Sequence, residues 1–282
     1  MARTLITSLL LLACTWPLPV QAGEVRVVSQ TAGSDELLLA LADPVQVAAL
    51  SHLATAPEFC AVAKAAAAYP QISTGDSEAI LRYRPTLVLF ADYSRAELID
   101  QVRKSGVQVI IFDHYATMGD VYANLRALGR ALGHEDRAEK LIAACKVRMT
   151  TLAQKLKGVR PVRVINASTY GILSGADTTF QDLCDHAGAE NLAGTLGGIT
   201  GIAPEPTEKM LAWPVDVAVL SGDQTVEEAL APLRDLLPYK YIPAVQEGRA
   251  VILPSALLAS VTHHRITGYE LMARALHPEV KW

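Results

Sequence analysis

The sequence predicts an α/β protein made of two lobes that a long helical segment joins. Short runs that are apolar on nearly every residue alternate with helical patterns, as in parallel sheets covered by helices on both faces. A central stretch of about forty residues has helical apolar spacing and no strand pattern. The 282 residues include 51% hydrophobic and 19% charged side chains, so the chain has enough apolar material for two moderate domains.

The first 22 residues have the pattern of a secretory signal peptide. Arg3 gives a positive start, residues 5–13 form a short apolar run, and residues 20–22 carry the small side chains that a signal peptidase reads. The alternative is a lipoprotein signal that acylates Cys14. Because the apolar run is too short to cross a membrane, we expect a periplasmic protein that is soluble or anchored by a lipid.

The first lobe is predicted over residues 23–117. Helical patterns, for example at residues 34–41 and 94–105, alternate with buried strands, which favours a parallel sheet. The candidate strands lie at residues 25–29, 45–50, 86–91 and 107–112.

Residues 118–158 are predicted to be the helical connector. Two series of apolar residues recur at helical spacing, with Gly133 between them as a candidate joint, and Gly158 marks the end. A single helix of this length would span about 60 Å, which is more than one strand-to-strand crossover needs.

The second lobe is predicted over residues 159–282, with strands at residues 162–166, 215–220 and 250–253. The two lobes share a pattern. Ser77 and Glu78 precede a Pro-bounded step into one strand, and Thr207 and Glu208 precede the equivalent step in the other lobe. Ser77 and Thr207 are the predicted helix caps. We therefore expect lobes related by pseudo-symmetry.

Several short motifs occur in an order that resembles the periplasmic substrate-binding proteins of ABC importers for iron-siderophores, haem and cobalamin (the helical-backbone class, class III). Residues 27–41 resemble the opening strand and helix of that family, and residues 78–89 resemble its E-x-I-L-x-x-x-P-D-L-V segment. Residues 174–183 resemble its cleft loop, and residues 188–192 resemble its G-G-E-N turn. The resemblance covers nearly all of the chain after the signal peptide.

This resemblance implies two Rossmann-like lobes with a ligand cleft between them. It implies a monomeric receptor, with no catalytic activity and no required cofactor, that captures a metal chelate containing iron or cobalt. The receptor would deliver that chelate to a permease dimer with its ATPase subunits. In relatives of the cobalamin-binding type, one exposed glutamate of each lobe docks onto permease arginines, and Glu78 and Glu208 match those positions.

Candidate ligand contacts follow from the rule that open α/β sheets bind ligands beyond the carboxyl ends of their strands. Ser73 and Thr74 are added because they match a ligand-contacting turn of the family. The residues at strand ends are His52, Asp92, Tyr93, His114, Tyr115 and Tyr170.

The adjacent His263 and His264 open the last predicted helix, where one imidazole could be an axial ligand to haem iron or to cobalt. Alternatively, one of them packs or caps and the other is solvated. A binding protein for a bare Zn, Mn or Fe ion is a second possibility. His52, His114, one of these two histidines and a carboxylate of Asp92 or Asp113 would then converge.

Other functions find less support in the sequence. A formal net charge of −4 argues against nucleic-acid binding. An exported metal-dependent enzyme is disfavoured because His134 and Glu135 lack the second histidine of an HExxH motif. The aromatic share of 6% argues against a tryptophan-walled cobalamin site. Signal cleavage would leave an odd number of cysteines, which we expect to be small buried side chains; the sequence does not fix their pairing. They are Cys60, Cys145 and Cys184.

Overall fold

Four short parallel strands form the sheet of the first lobe. The computed structural model describes residues 25–282, so the predicted signal peptide and Cys14 lie outside the described residues. The sheet order is β2-β1-β3-β4. The strands are β1 (Val27–Ser29), β2 (Val47–Ala49), β3 (Leu87–Ala91) and β4 (Gln108–Phe112).

Both faces of this sheet are buried, which explains why the strands are apolar on successive residues. In β3, Leu87 and Leu89 enter one hydrophobic cluster, whereas Val88 and Phe90 enter the cluster on the opposite face. The helices of this lobe are α1 (Ala32–Leu41), α2 (Ala63–Ala66), α3 (Ser77–Leu81) and α4 (Ala96–Lys104).

The connector is two helices, not one rod. The helices α5 (Met118–Leu132) and α6 (Glu135–Lys155) are separated by Gly133, whose φ of 74° is left-handed and ends α5. The chain turns back there, so Tyr122 Oη of α5 lies 3.2 Å from Met149 Sδ of α6. The single 60 Å span is therefore wrong. α5 packs against α1, whereas α6 packs against helices of the second lobe.

The sheet of the second lobe repeats the arrangement of the first. Its parallel order is β10-β9-β5-β7, so β5 and β9 occupy the places of β1 and β3. A separate antiparallel pair joins β6 to β8. The strands are β5 (Val162–Asn166), β6 (Ile172–Ser174), β7 (Ala189–Asn191), β8 (Ile202–Pro204), β9 (Val217–Ser221) and β10 (Ala250–Leu253). The predicted α/β class and its two lobes are confirmed.

The second lobe has one long C-terminal helix and several short ones. They are α7 (Thr179–Ala187), α8 (Leu192–Thr195), α9 (Thr207–Met210), α10 (Val226–Leu230), α11 (Pro243–Gln246), α12 (Ser255–Leu258) and α13 (Arg265–Leu276). The predicted caps are wrong by one residue. Asp76, not Ser77, caps α3 by accepting from Ala79 N at 2.8 Å, and Pro206 precedes α9 without a side-chain cap.

A fully buried arginine ties the lobes together. Arg265 of α13 donates to the carbonyl oxygens of Ala116 (2.8 Å) and Tyr115 (2.5 Å), at the end of the first lobe. It also pairs with Asp182 of α7 at 2.9 Å. One hydrophobic cluster includes side chains from both lobes and from α5 and α6. The lobes therefore meet through a packed and hydrogen-bonded contact.

The three cysteines of the described residues are buried and unpaired, as expected for small core side chains. Among residues 25–282, none of the helices combines the length and the apolar composition that a membrane crossing needs.

Candidate functional site

A cavity of about 380 Å³ lies between the lobes, at the carboxyl ends of β1, β2 and β3. We call it the interlobe cavity. Its first-lobe wall includes Gln30, Thr31, Glu36, His52, Glu58, Phe59, Tyr93 and Arg95. Its second-lobe wall is Ser255, Ala256, Ala259, Ser260 and Val261. The position agrees with the strand-end rule, and the volume is within the range of small-molecule sites.

Tyr93 contributes a phenol, an aromatic ring that carries an oxygen atom, to the wall of this cavity. It is the second residue after β3 and is 65% exposed. Desolvation raises the pKa of Tyr93 above its ordinary value, and the charges of Asp92 and Asp35 act in the same direction. The phenol therefore keeps its proton near neutral pH in the free protein.

A basic side chain lies on the cavity rim. Arg95 lines the cavity and donates through Nη2 to the carbonyl oxygen of Gly75 at 2.6 Å. That bond holds the turn of residues 73–75 beside the rim. Ser73 and Thr74 do not line this cavity, and the Thr74 hydroxyl donates to Asp76 at 2.5 Å.

Two adjacent acidic residues lie beneath the cavity. Asp35 and Glu36 of α1 are 0% and 3% exposed. Burial raises the pKa of each carboxyl group to about 7. The hydrogen bonds from Ser51 to Asp35 and from Thr262 to Glu36 act in the opposite direction and favour the charged form. Glu36 also lines the cavity. Both groups therefore gain or lose a proton near neutral pH.

The second lobe has a cavity of its own, also of about 380 Å³. This second-lobe cavity lies at the carboxyl ends of β5 and β9, and Ser255 borders both cavities. Tyr170, 84% exposed, is on its wall with Ser168, Thr169 and Gln224. We call the two cavities together the cleft.

The structure brings His52 and Tyr93 to the interlobe cavity and Tyr170 to the second-lobe cavity. Tyr115 lines a small cavity next to Tyr93, and its hydroxyl donates to Asp92 at 3.0 Å. These five predicted residues therefore surround the cleft.

His114 is not part of the cleft. Its Nδ1 lies 2.7 Å from Asp113 Oδ1 in an exposed pair, and that hydrogen bond raises the pKa of His114 above its ordinary value. The pair stays at the surface of the first lobe because the main chain of His114 accepts a hydrogen bond from Asn124 of α5.

The geometry gives no support to His263 and His264 as axial ligands, because neither lines the interlobe or the second-lobe cavity. Burial lowers the pKa of His263 to about 3, and the charges of His264 and of Arg148, on α6, act in the same direction. The His263 Nδ1 atom has no hydrogen-bond partner among the described residues. The Thr262 hydroxyl accepts from His264 N at 3.3 Å and so holds the loop in its turn.

The alternative of a bare metal ion is not supported either. No group of three or more His, Cys, Asp or Glu side chains with metal-binding geometry occurs among residues 25–282. The side chains that this prediction needed are separated: His52 is in the cleft, His114 is on the surface and His263 is near α6.

Sequence reasoning missed the rest of the loop that carries His52. Phe59, 54% exposed, and Glu58 both line the interlobe cavity, as does Arg95 two residues after Tyr93. In this loop the strand-end rule pointed to His52 only, three residues after the end of β2. An exposed phenylalanine in the loop that follows was the available signal.

Glu78 and Glu208 occupy equivalent places in the two lobes. Each is exposed and is the second residue of its helix, α3 or α9. Those helices lead into β3 and β9, the equivalent strands of the two sheets. Each glutamate therefore lies at the carboxyl-end side of its sheet, where the cleft opens.

Comparison with known proteins places the chain in a family. The family model described as Periplasmic binding protein matches residues 27–257. The uncharacterized ABC transporter substrate-binding lipoprotein YvrC of Bacillus subtilis (strain 168) is 22% identical over 211 residues. That match covers 72% of this chain and 65% of YvrC, so this chain spans less than two thirds of the relative's length.

Two solved structures share the fold. The periplasmic heme-binding protein RhuT from Roseiflexus sp. RS-1, in apo form, is 22% identical with a TM-score of 0.77, covering 92% of this chain and 100% of that one. The periplasmic heme-binding protein HutB of Vibrio cholerae is 21% identical with a TM-score of 0.76, covering 90% and 100%. The family model spans far more than half of the sequence, and the chain belongs to the periplasmic binding protein family.

Proposed function

We propose that this protein is the substrate-binding receptor of an ABC importer and that it captures a metal chelate in the cleft between its lobes. Haem is the chelate that the site fits best. The observation that carries the proposal is the exposed Tyr93 at the interlobe cavity, which the apolar side chains of Leu53, Phe59 and Val261 also line. Family membership supports the receptor function, since the family is one of binding proteins.

Tyr93 supplies the ligand atom in this proposal. A tyrosine phenolate is one of the axial ligands that proteins use for haem iron. The raised pKa of Tyr93 means that ferric iron must displace a proton when it binds. Haem affinity is therefore expected to increase with pH. His52 lines the same cavity.

The remaining wall suits a planar ligand with acidic groups. Phe59, Leu53 and Leu98 offer apolar surface to a porphyrin face. Arg95 on the rim offers the guanidinium that a carboxylate prefers. The polar second-lobe cavity, next to Ser255, leaves room for a larger chelate to extend toward Tyr170.

Other ligands fit less well. Neither Trp213 nor Trp282 lines either cavity, so the aromatic wall expected for cobalamin is missing from the described cleft. A ferric siderophore shares the need for oxygen ligands and is the nearest competitor. The similar structures RhuT and HutB are heme-binding proteins, which supports haem as the first ligand to test.

The proposal includes the transport partner that receives the chelate and the cellular location of the protein. The relative YvrC is an ABC transporter substrate-binding lipoprotein, which supports a permease with ATPase subunits as the partner and a location outside the cytoplasm. We place the protein in the periplasm as a monomer, released by signal cleavage or held by a lipid on Cys14. Such a receptor needs no covalent chemistry.

The test is a set of parallel titrations of purified protein with haemin, a ferric catecholate siderophore, cobalamin and Zn²⁺. We expect haemin to bind in a one-to-one complex and more tightly than the other three by at least about tenfold, about 1.4 kcal/mol. Binding of Zn²⁺ alone, or of none of the four, would refute the metal-chelate proposal. Tighter binding of the siderophore would support the receptor function but would identify a ferric siderophore, not haem, as the ligand.

A further inference from the structure

The loop that carries His52 and Phe59 is held at both ends by neighbouring carboxylates. We call residues 51–61 the cleft loop. At its start, Ser51 N donates to Asp35 Oδ1 at 3.0 Å and Ser51 Oγ donates to Asp35 Oδ2 at 2.5 Å. At its end, Ala61 N donates to Glu36 Oε1 at 2.7 Å. The residues that face the ligand lie between these two anchors.

The second oxygen of Glu36 reaches the opposite lobe. Thr262 Oγ1 donates to Glu36 Oε2 at 2.5 Å, between residues 226 positions apart in the chain. Thr262 is 0% exposed. The contact is tight, because a Cβ atom at Gly33 of α1 would overlap Cγ2 of Val261. One carboxylate thus bonds the cleft loop with one oxygen and the second lobe with the other.

We propose that Glu36 is a positioning residue that couples the cleft loop of the first lobe to residues 260–262 of the second. When the lobes are in contact, Thr262 fixes the carboxylate and the carboxylate fixes Ala61, so Phe59 and His52 face the cavity. When the lobes separate, the carboxylate loses that partner and the end of the cleft loop loosens. The effect on ligand capture rests on the proposed function, whereas the coupling itself belongs to the free protein.

The neighbouring contacts make this coupling specific. The hydroxyl of Thr262 is hydrogen-bonded to Glu36, Ser260 and His264, and its carbonyl oxygen accepts from Arg265 N; none of these residues is in the cleft loop. Any effect of Thr262 on Ala61 must therefore pass through Glu36 or through a general loss of structure. If the buried acid had a purely structural role, removing the Thr262 hydroxyl would lower the stability of the whole protein without a specific effect on hydrogen exchange in the cleft loop.

The experiment is hydrogen exchange of the ligand-free protein, read by mass spectrometry at peptide resolution. In Thr262→Ala, we expect the amides of residues 59–61 to exchange about five- to tenfold faster, as the loss of one buried hydrogen bond predicts. Thr262→Ser keeps the hydroxyl and is expected to retain wild-type exchange. Thr267→Ala is the matched control, because it removes a hydroxyl of α13 that bonds only to Arg148 of α6.

Variants at Glu36 complete the test. Glu36→Gln can still accept from Ala61 N and donate to the Thr262 hydroxyl, so its cleft loop should exchange as in the wild type. Glu36→Ala should accelerate exchange in both the cleft loop and residues 260–262. Unchanged cleft-loop exchange in Thr262→Ala would overturn the coupling, as would equal acceleration in Thr267→Ala. Because no ligand is added, failure of the haem proposal would not affect these results.

Discussion

At the scale of single residues, the ionisation of two adjacent buried acids of α1 links stability to pH. Asp35 and Glu36 have pKa values raised to about 7 by burial. In the unfolded chain both groups lose their protons near their ordinary values, 3.8 and 4.5. Between about pH 4 and about 7 the folded protein therefore binds more protons than the unfolded chain, and its stability falls as the pH rises.

Glu36→Gln should remove the contribution of that residue to this pH dependence. Relative to the wild type, the variant should gain stability as the pH rises from about 5 to about 7, by up to about 1.4 kcal/mol per pH unit. Urea denaturation at four pH values measures the difference. His263, whose burial lowers its pKa to about 3, has the opposite trend but is present in both proteins. A difference that stays constant across this range would contradict the raised pKa of Glu36.

At the scale of single residues, sequence reasoning succeeded where a backbone rule applied. The strand-end rule reached His52 and Tyr93 because parallel strands end at one edge of the sheet. The rule failed for His114, whose ring pairs with Asp113 at the surface. It did not cover His263, where the Thr262 hydroxyl, bonded to Glu36 and to His264 N, sets the direction of the loop. A contact between residues 226 positions apart leaves no local signal in a single sequence.

At the scale of elements, a strand was predictable when it was buried on both faces. The seven predicted strands are all present, whereas β6, β7 and β8 were missed because their side chains are partly exposed, unlike those of the equally short β1 and β2. The connector was predicted as helical, and Gly133 was identified as its joint. Sequence spacing could not show that α6 folds back on α5, because both helices are amphipathic and each has a face to bury.

The joint between α5 and α6 requires a glycine. Gly133 has a φ of 74°, which costs a residue with a side chain about 1–2 kcal/mol. We expect Gly133→Ala to lower the free energy of unfolding by about that amount in thermal or urea denaturation. Gly119→Ala, within α5, is the matched control and should stabilise the protein by up to about 1 kcal/mol. Equal effects at the two positions would show that the turn does not depend on the left-handed conformation.

At the scale of the whole molecule, the two lobes are related by their strand order. In both sheets the strand that follows the glutamate-bearing helix lies between the first strand of the lobe and an edge strand. The pairing of Glu78 and Glu208, seen first as a repeated sequence pattern, is therefore a feature of the repeated fold. Two like charges on one surface suit a partner that is itself a dimer with matching cations.

The double variant Glu78→Ala/Glu208→Ala tests the hypothesis that these two residues dock onto the permease. We expect haemin binding to match the wild type, because neither residue lines the cavities, while association with the permease in reconstituted vesicles falls by at least about tenfold. Raising the salt concentration should weaken the wild-type association and affect the variant less. Normal transport combined with weaker haemin binding would contradict the docking assignment.

The central claim is that the interlobe cavity binds a metal chelate through Tyr93. The most direct measurement is the absorption spectrum of wild type, Tyr93→Phe and Tyr241→Phe during titration with haemin. Tyr241, 60% exposed and outside both cavities, is the matched control. We predict a shifted Soret band for the wild type and for Tyr241→Phe, and at least about tenfold weaker binding for Tyr93→Phe. An unshifted band in the wild type, or equal affinity in all three proteins, would contradict the claim.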